Sequence, residues 1–194
     1  TTGYDAKRFA PHAFKIQVEM DPAVRKRQQD TANLQIDADV TYFLEQLHAR
    51  SIPTKDCATW KEQCATWKQT YPIMQEPHRI DDGPVNLYAV ADTLSNELSG
   101  DETVVTDSGC SFYAMGQAFR VKNTERYIVS GALGAMGYAI PACIGIAAAA
   151  PEKTVVCVTG DGALQINVQE LQTLAHQRSN VKIFIINNEG YASI

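Results

Sequence analysis

Two short stretches carry residue types from which a site could be built. Thr159-Gly160-Asp161-Gly162 follows the apolar run Val155-Val156-Cys157-Val158, and Asn187-Asn188 follows Lys182-Ile183-Phe184-Ile185-Ile186, with 24 residues between Gly162 and Asn187. An aspartate offers a hard anionic oxygen; an asparagine side chain offers a neutral one. The glycines on either side of Asp161 let the backbone turn sharply and expose its amides to a phosphate. This ligand set suits Mg2+, which prefers about six oxygens and shares them with substrate phosphates. No histidine or thiol is placed to suggest zinc. Alone, each stretch reads as a turn after a strand. If the two strands are neighbours, their ends converge on one point.

The elements around these stretches supply such ends. From residue 84 onward, strand and helix patterns alternate. Helical PVNLYAVADTLSNEL is followed by the strands TVVTD and YIVS, a Gly- and Ala-rich helix, the strand TVVCVTG, the helix NVQELQTLAHQ and the strand VKIFII. Short apolar strands alternating with helices predict a parallel sheet covered on both faces, an α/β fold with ligands beyond the carboxyl ends of its strands. Residues 1–50 read as the tail of another α/β unit. There HAFKIQVEMD and LQIDAD are strands, DPAVRKRQ is a helix capped by Asp21 with Pro22 at its first position, and DVTYFLEQLHAR is a second helix. Residues 51–83 read as a connector. It repeats CATWK seven residues apart, which puts Trp60 and Trp67 on one helical face, and its Pro-rich YPIMQEPHRIDDGP marks a boundary. A helix resting two tryptophans on a surface accounts for the repeat more simply than a coiled coil or a cofactor stripe.

Composition narrows the partners. The 194 residues are 45% hydrophobic and carry a net charge of −5, which argues for a packed core and against nucleic acid or an anionic membrane as the main partner. Five cysteines, an odd number without C-x-x-C spacing, read as reduced thiols in a cytoplasmic protein. No signal peptide opens the chain, and no run of 18 apolar residues suggests a membrane span. Starting at TTGYDAKRF without Met and stopping just after a strand and a turn, the chain reads as a fragment of a longer protein or one with parts missing.

The spacing of Gly160-Asp161-Gly162 and Asn187-Asn188 resembles the cofactor signature of the thiamine-diphosphate enzymes, and the chain is most similar in overall look to their acetolactate synthase-like branch. A second stretch, SGALGAMGYAIPACIGIAAA from Ser130, resembles the family segment that holds the cofactor's middle. The resemblance implies a diphosphate- and Mg-binding domain at 84–194, cut short at its C-terminal end, preceded at 1–50 by the end of a central domain. It implies that Asp161, the side chain of Asn188 and the main-chain oxygen of Gly190 hold Mg2+. It further implies that the amides of Gly162 and Ala163 face the diphosphate, that the Gly134 carbonyl accepts from the aminopyrimidine, and that Met136 wedges under the bent cofactor. Asn188 counts with the cofactor-binding residues as well as the metal ligands. The loop Thr106–Ser111 would reach the diphosphate end, with Ser108, Gly109 and Ser111 against the cofactor and Ser111 donating to a phosphate. Cys110 reads as lining the site, since no base neighbours it in sequence.

Two departures blur the substrate. Acetolactate synthases tend to carry Gly-Gln-His-Gln where this chain has Gly109-Cys110-Ser111-Phe112, and Gly-Met-Val near Ala192-Ser193-Ile194; Tyr191 is closer to decarboxylases and other carboligases. The implied activity is a thiamine-diphosphate- and Mg-dependent carboligase or lyase acting on 2-oxo acids. The cofactor supplies the carbon chemistry and the protein the metal clamp and a shielded site. The alternatives are a 2-oxo-acid decarboxylase of the same family and a non-catalytic cofactor-binding relative. A receiver-like domain phosphorylated on Asp161 leaves the paired asparagines and the GALGAM stretch without a job. The resemblance also implies a homodimer or homotetramer, in which a glutamate of the partner's pyrimidine-binding domain activates the cofactor, and it leaves FAD on the central domain open. No residue here matches that glutamate, so no catalytic residue is assigned and the chain alone is expected to be inactive. His12, His48, His78 and His176 lie outside the motifs and read as surface or structural.

Overall fold

The structure is a computed structural model that describes residues 8–50, 56–75 and 83–191. It separates into two compact units, Thr1–Glu62 and Gln63–Ile194. The expectations for His78, for Ala192-Ser193-Ile194 and for part of the Pro-rich stretch fall outside the described residues.

In the first unit, β1 (Ile16–Val18) pairs in parallel with β2 (Leu34–Ile36), and α1 (Pro22–Arg27) connects them. Asp21 caps α1 by accepting from the Ala23 amide, with Pro22 at the first helical position, where a missing N–H costs nothing. Asp39 caps α2 (Val40–His48) by accepting from the Thr41 and Tyr42 amides. The strand HAFKIQVEMD is shorter than its pattern suggested, with three residues paired. The CATWK repeat forms α3 (Ala58–Thr70), and Trp60 and Trp67 remain 60% and 46% exposed.

The second unit holds the parallel sheet. After α4 (Leu87–Glu97) come β3 (Thr103–Thr106), α5 (Cys110–Ala118), β4 (Arg126–Ile128), a 3-10 turn at Gly131–Leu133, α6 (Ala139–Ala149), β5 (Val155–Gly160), α7 (Asp161–Ile166), α8 (Glu170–Gln177) and β6 (Val181–Ile186). The strand order is β4-β3-β5-β6, all parallel. Alternation along the central strands sorts the core into two layers. Val104, Val156 and Val158 pack with Ala91 and Leu94 of α4 and Met115 and Ala118 of α5. Val105, Val155 and Cys157 pack with Ile140, Cys143 and Ala147 of α6 and Leu174 of α8. Helices therefore cover both faces, as the runs of Val, Ile and Cys required.

Two local readings are refined. The Gly-rich stretch is not helical from its start: Gly131, Gly134 and Gly137 have φ of +64°, +55° and +78°, and α6 begins only at Ala139. A short helix unmarked by periodicity, α7, starts at Asp161 directly from the end of β5.

Candidate functional site

The register places the two opening motifs side by side. In the β5–β6 pair, Thr159 lies opposite Ile185 and Gly160 opposite Ile186, so Asp161 and Asn187-Asn188 leave adjacent strand ends on the same edge of the sheet. β3 lies on the other side of β5, with Thr106 opposite Val158, and sends the Asp107–Gly109 loop to that edge too. The Gly-rich turn before α6 completes the ring.

These four segments enclose a cavity of about 400 Å3, large enough for a cofactor-sized ligand. Every residue singled out in the sequence for cofactor or metal lines it: Ser108, Gly109, Ser111, Gly134, Met136, Asp161, Gly162, Ala163, Asn188 and Gly190. Cys110, Phe112, Tyr113, Ile186 and Tyr191 contribute further to the wall.

Local backbone chemistry explains how each wall is held. Gly109 has φ +75° and ψ −143°, a conformation suited to glycine, and this swings the chain from the β3 end into α5. Ser111 is buried, and its hydroxyl donates to the Ser108 carbonyl at 3.1 Å. Donation to a ligand phosphate requires the hydroxyl to rotate away from that bond. At the β5 end, Asp161 stands in the first turn of α7, followed by Gly162 and Ala163, where amides have no intrahelical acceptor. A Cβ on Gly162 would come within 2.6 Å of Tyr191 Cε1, so a side chain there requires the exposed Tyr191 ring to move. Beyond β6, the Asn187 Oδ1 accepts from the Glu189 amide at 3.0 Å and the Asn188 Oδ1 accepts from the Gly190 amide at 3.3 Å. These bonds form a tight turn, with Glu189 at φ +58°.

The donor chemistry fits Mg2+ with a diphosphate. Asp161 brings one carboxylate, Asn188 one amide oxygen and Gly190 one main-chain carbonyl, all hard oxygens, and the remaining positions suit phosphate oxygens and water. On the Gly-rich turn, half-buried Met136 is an unbranched side chain at the cavity surface, close in sequence to the left-handed Gly134. Among the described residues, no three His, Cys, Asp or Glu side chains gather as a metal cluster. A metal at this edge would therefore draw on one carboxylate, on neutral oxygens and on its ligand's charge.

One residue went unnoticed in the sequence. Asp107, just beyond β3, is 2% exposed and accepts hydrogen bonds from four donors. Its signal was weak: one aspartate after a strand, without a partner in the local sequence.

Residues 107–194 match the model of the thiamine pyrophosphate enzyme family's C-terminal TPP binding domain. The chain is 31% identical over 184 residues to the acetolactate synthase isozyme 1 large subunit of Escherichia coli strain K12, covering 95% of this chain and 32% of that protein. It is 33% identical over 186 residues to the acetolactate synthase large subunit of Porphyra purpurea, covering 93% and 30%. It is 33% identical over 190 residues to that of Corynebacterium glutamicum, covering 95% and 30%. The chain thus spans about a third of the length of the curated relatives it matches.

Proposed function

Residues 107–194 belong to the thiamine pyrophosphate enzymes, and from that membership we propose that this chain carries the metal- and diphosphate-holding half of a carboligase or lyase acting on 2-oxo acids. The observation that carries the reading is the meeting of all ten sequence-selected residues around one cavity at the carboxyl edge of a parallel sheet. When bound, thiamine diphosphate supplies the electron sink for breaking and making the bond next to the 2-oxo carbon. The chain's own residues do the holding. Asp161, Asn188 and the Gly190 carbonyl take Mg2+; the Gly162 and Ala163 amides, with Ser108, Gly109 and Ser111, take the diphosphate. Gly134 and Met136 would hold the cofactor's middle. The similarity to acetolactate synthase large subunits supports a 2-oxo acid as substrate. By the same resemblance, a glutamate of a second subunit's pyrimidine-binding domain would activate the cofactor, in a homodimer or homotetramer of cytoplasmic location.

The deciding experiment is calorimetric titration of thiamine diphosphate into the intact protein, with Mg2+ and then with EDTA. Binding that needs the metal, and that Asp161→Ala abolishes, is expected. Equal affinity in that variant would remove the metal assignment, and no binding in either condition would favour a non-catalytic relative. A 2-oxo-acid decarboxylase is the second reading, favoured by Gly109-Cys110-Ser111-Phe112 and by Tyr191 at the cavity wall. Product analysis with pyruvate separates the two, since a carboligase yields acetolactate and a decarboxylase acetaldehyde. Flavin absorbance of the purified protein decides whether FAD accompanies it.

A further inference from the structure

A buried carboxylate is tolerated when enough donors surround it. Asp107 has two for each oxygen. Its Oδ1 accepts from the Ser108 amide at 3.0 Å and the Gly137 amide at 2.9 Å. Its Oδ2 accepts from the Ala139 amide at 3.1 Å and the Thr159 hydroxyl at 3.2 Å. Its own amide donates to the Val158 carbonyl at 3.0 Å, so the residue is anchored to β5 as well as β3. One side chain thus ties two strand ends to the Gly-rich turn.

The same turn is gripped from the other side. The Asn167 Nδ2 donates to the Gly137 carbonyl at 2.8 Å. Asn167 ends α7, the helix that Asp161 begins. The grip is close: a Cβ on Gly137 would lie 3.0 Å from Asn167 Nδ2 and from the Cβ and Cγ2 of Ile166. Gly137 therefore has its amide on Asp107 and its carbonyl on Asn167, with φ at +78°. The turn's internal bonds, from the Gly134 amide to the Gly131 carbonyl and from the Ala135 amide to the Ser130 hydroxyl, do not reach the sheet. The cavity residue Met136 stands next to Gly137, so whatever holds Gly137 sets where Met136 and Gly134 project.

We propose that Asp107 and Asn167 are positioning residues that clamp Gly137 from both sides and so fix the thiamine-facing turn, Gly134–Met136, relative to the diphosphate-facing start of α7. This rests on the function proposed above and deepens it. Neither side chain need touch the cofactor. Their effect passes through the turn, and it should fall on recognition of the thiamine moiety more than on that of the diphosphate.

The test compares two probes on the intact protein, thiamine diphosphate with Mg2+ and magnesium pyrophosphate alone, by calorimetry at a temperature where each variant is folded. Pyrophosphate engages only the diphosphate end. Asn167→Ala removes one hold on Gly137 and is expected to weaken thiamine diphosphate about fivefold while leaving pyrophosphate about unchanged. Asp107→Asn turns one acceptor oxygen into a donor facing other donors, and the expected weakening is roughly tenfold or more, again larger for thiamine diphosphate. Unchanged thiamine diphosphate affinity in both variants would overturn the clamp, as would equal weakening of both probes. If Asp107→Asn does not fold, Asn167→Ala decides the matter alone. Failure of the unaltered protein to bind either probe would instead overturn the family-based function, and it is seen before any variant is made.

Discussion

At the scale of single residues, this site is made of backbone as much as of side chains. In the proposed site Asp161 and Asn188 would bring side-chain oxygens and Gly162, Ala163 and Gly190 main-chain groups, and the glycines work by what they lack. Gly137 combines φ +78° with a Cβ position only 3.0 Å from the side chains of Ile166 and Asn167. Gly137→Ala is expected to destabilise the fold by about 2 kcal/mol, from left-handed strain plus crowding against Ile166 and Asn167. Urea denaturation reads this directly, and a loss below about 0.5 kcal/mol would mean that the turn gives way easily. Asp161 was legible in the sequence because glycines flank it. Asp107 was not, because its partners Gly137, Ala139 and Thr159 lie 30 or more residues away and their convergence needs the assembled sheet edge.

At the scale of elements, the strands fix where the loops can be. β3 and β5 are buried on both faces, and Val156 in the middle of β5 is 1% exposed. Val156→Ala should cost about 2 kcal/mol through lost burial and a residual cavity, measured by the shift in urea midpoint. The amino end of β3 carries its own anchor. The Glu102 carboxylate accepts from the Ser99 hydroxyl and amide and from the Gly100 and Asp101 amides at 2.9–3.1 Å. Partial burial pushes its carboxyl up, but these hydrogen bonds outweigh that and hold it at about 2, below an ordinary value of 4.5. A carboxyl lowered on folding stabilises fully above its unfolded value, and the contribution fades as pH falls from 4.5 towards 2. After solvent screening this amounts to about 1–2 kcal/mol. Glu102→Gln should therefore lose that much at neutral pH and show a flatter acid limb when stability is followed across pH. An unchanged acid limb would assign the acid sensitivity to other carboxylates. Helix boundaries were partly legible: Asp21 caps α1 as its residue type predicts, whereas the caps Asp39 and Asn86 emerge only in the structure. The start of α6 was not, because Gly- and Ala-rich sequence reads equally as helix or turn until φ is known.

For the whole molecule, a ligand that binds only the folded state must raise stability by mass action. At one hundred times its dissociation constant, thiamine diphosphate with Mg2+ should add about 2.7 kcal/mol. Thermal unfolding of the intact protein should rise accordingly and fall back with EDTA. A rise that EDTA leaves intact would point to metal-independent binding. The chain spans about a third of its curated relatives, and binding and stability are the readouts that report on these residues alone.

Local order in the chain determined the fold class and the strand-ending motifs, which resemble a family's cofactor signature. Apolar runs must be buried and hydrogen-bonded as strands, glycines permit tight turns, and an aspartate and an asparagine bring oxygens for a hard cation. The chain by itself did not determine strand order, since the hydrophobic pattern of a buried parallel strand is satisfied by any neighbour. Only the tertiary structure set β5 between β3 and β6, brought four loops to one cavity and buried Asp107 beneath the Gly-rich turn. Those outcomes depend on contacts between residues far apart in sequence, and such contacts exist only once the helices have closed both faces of the sheet.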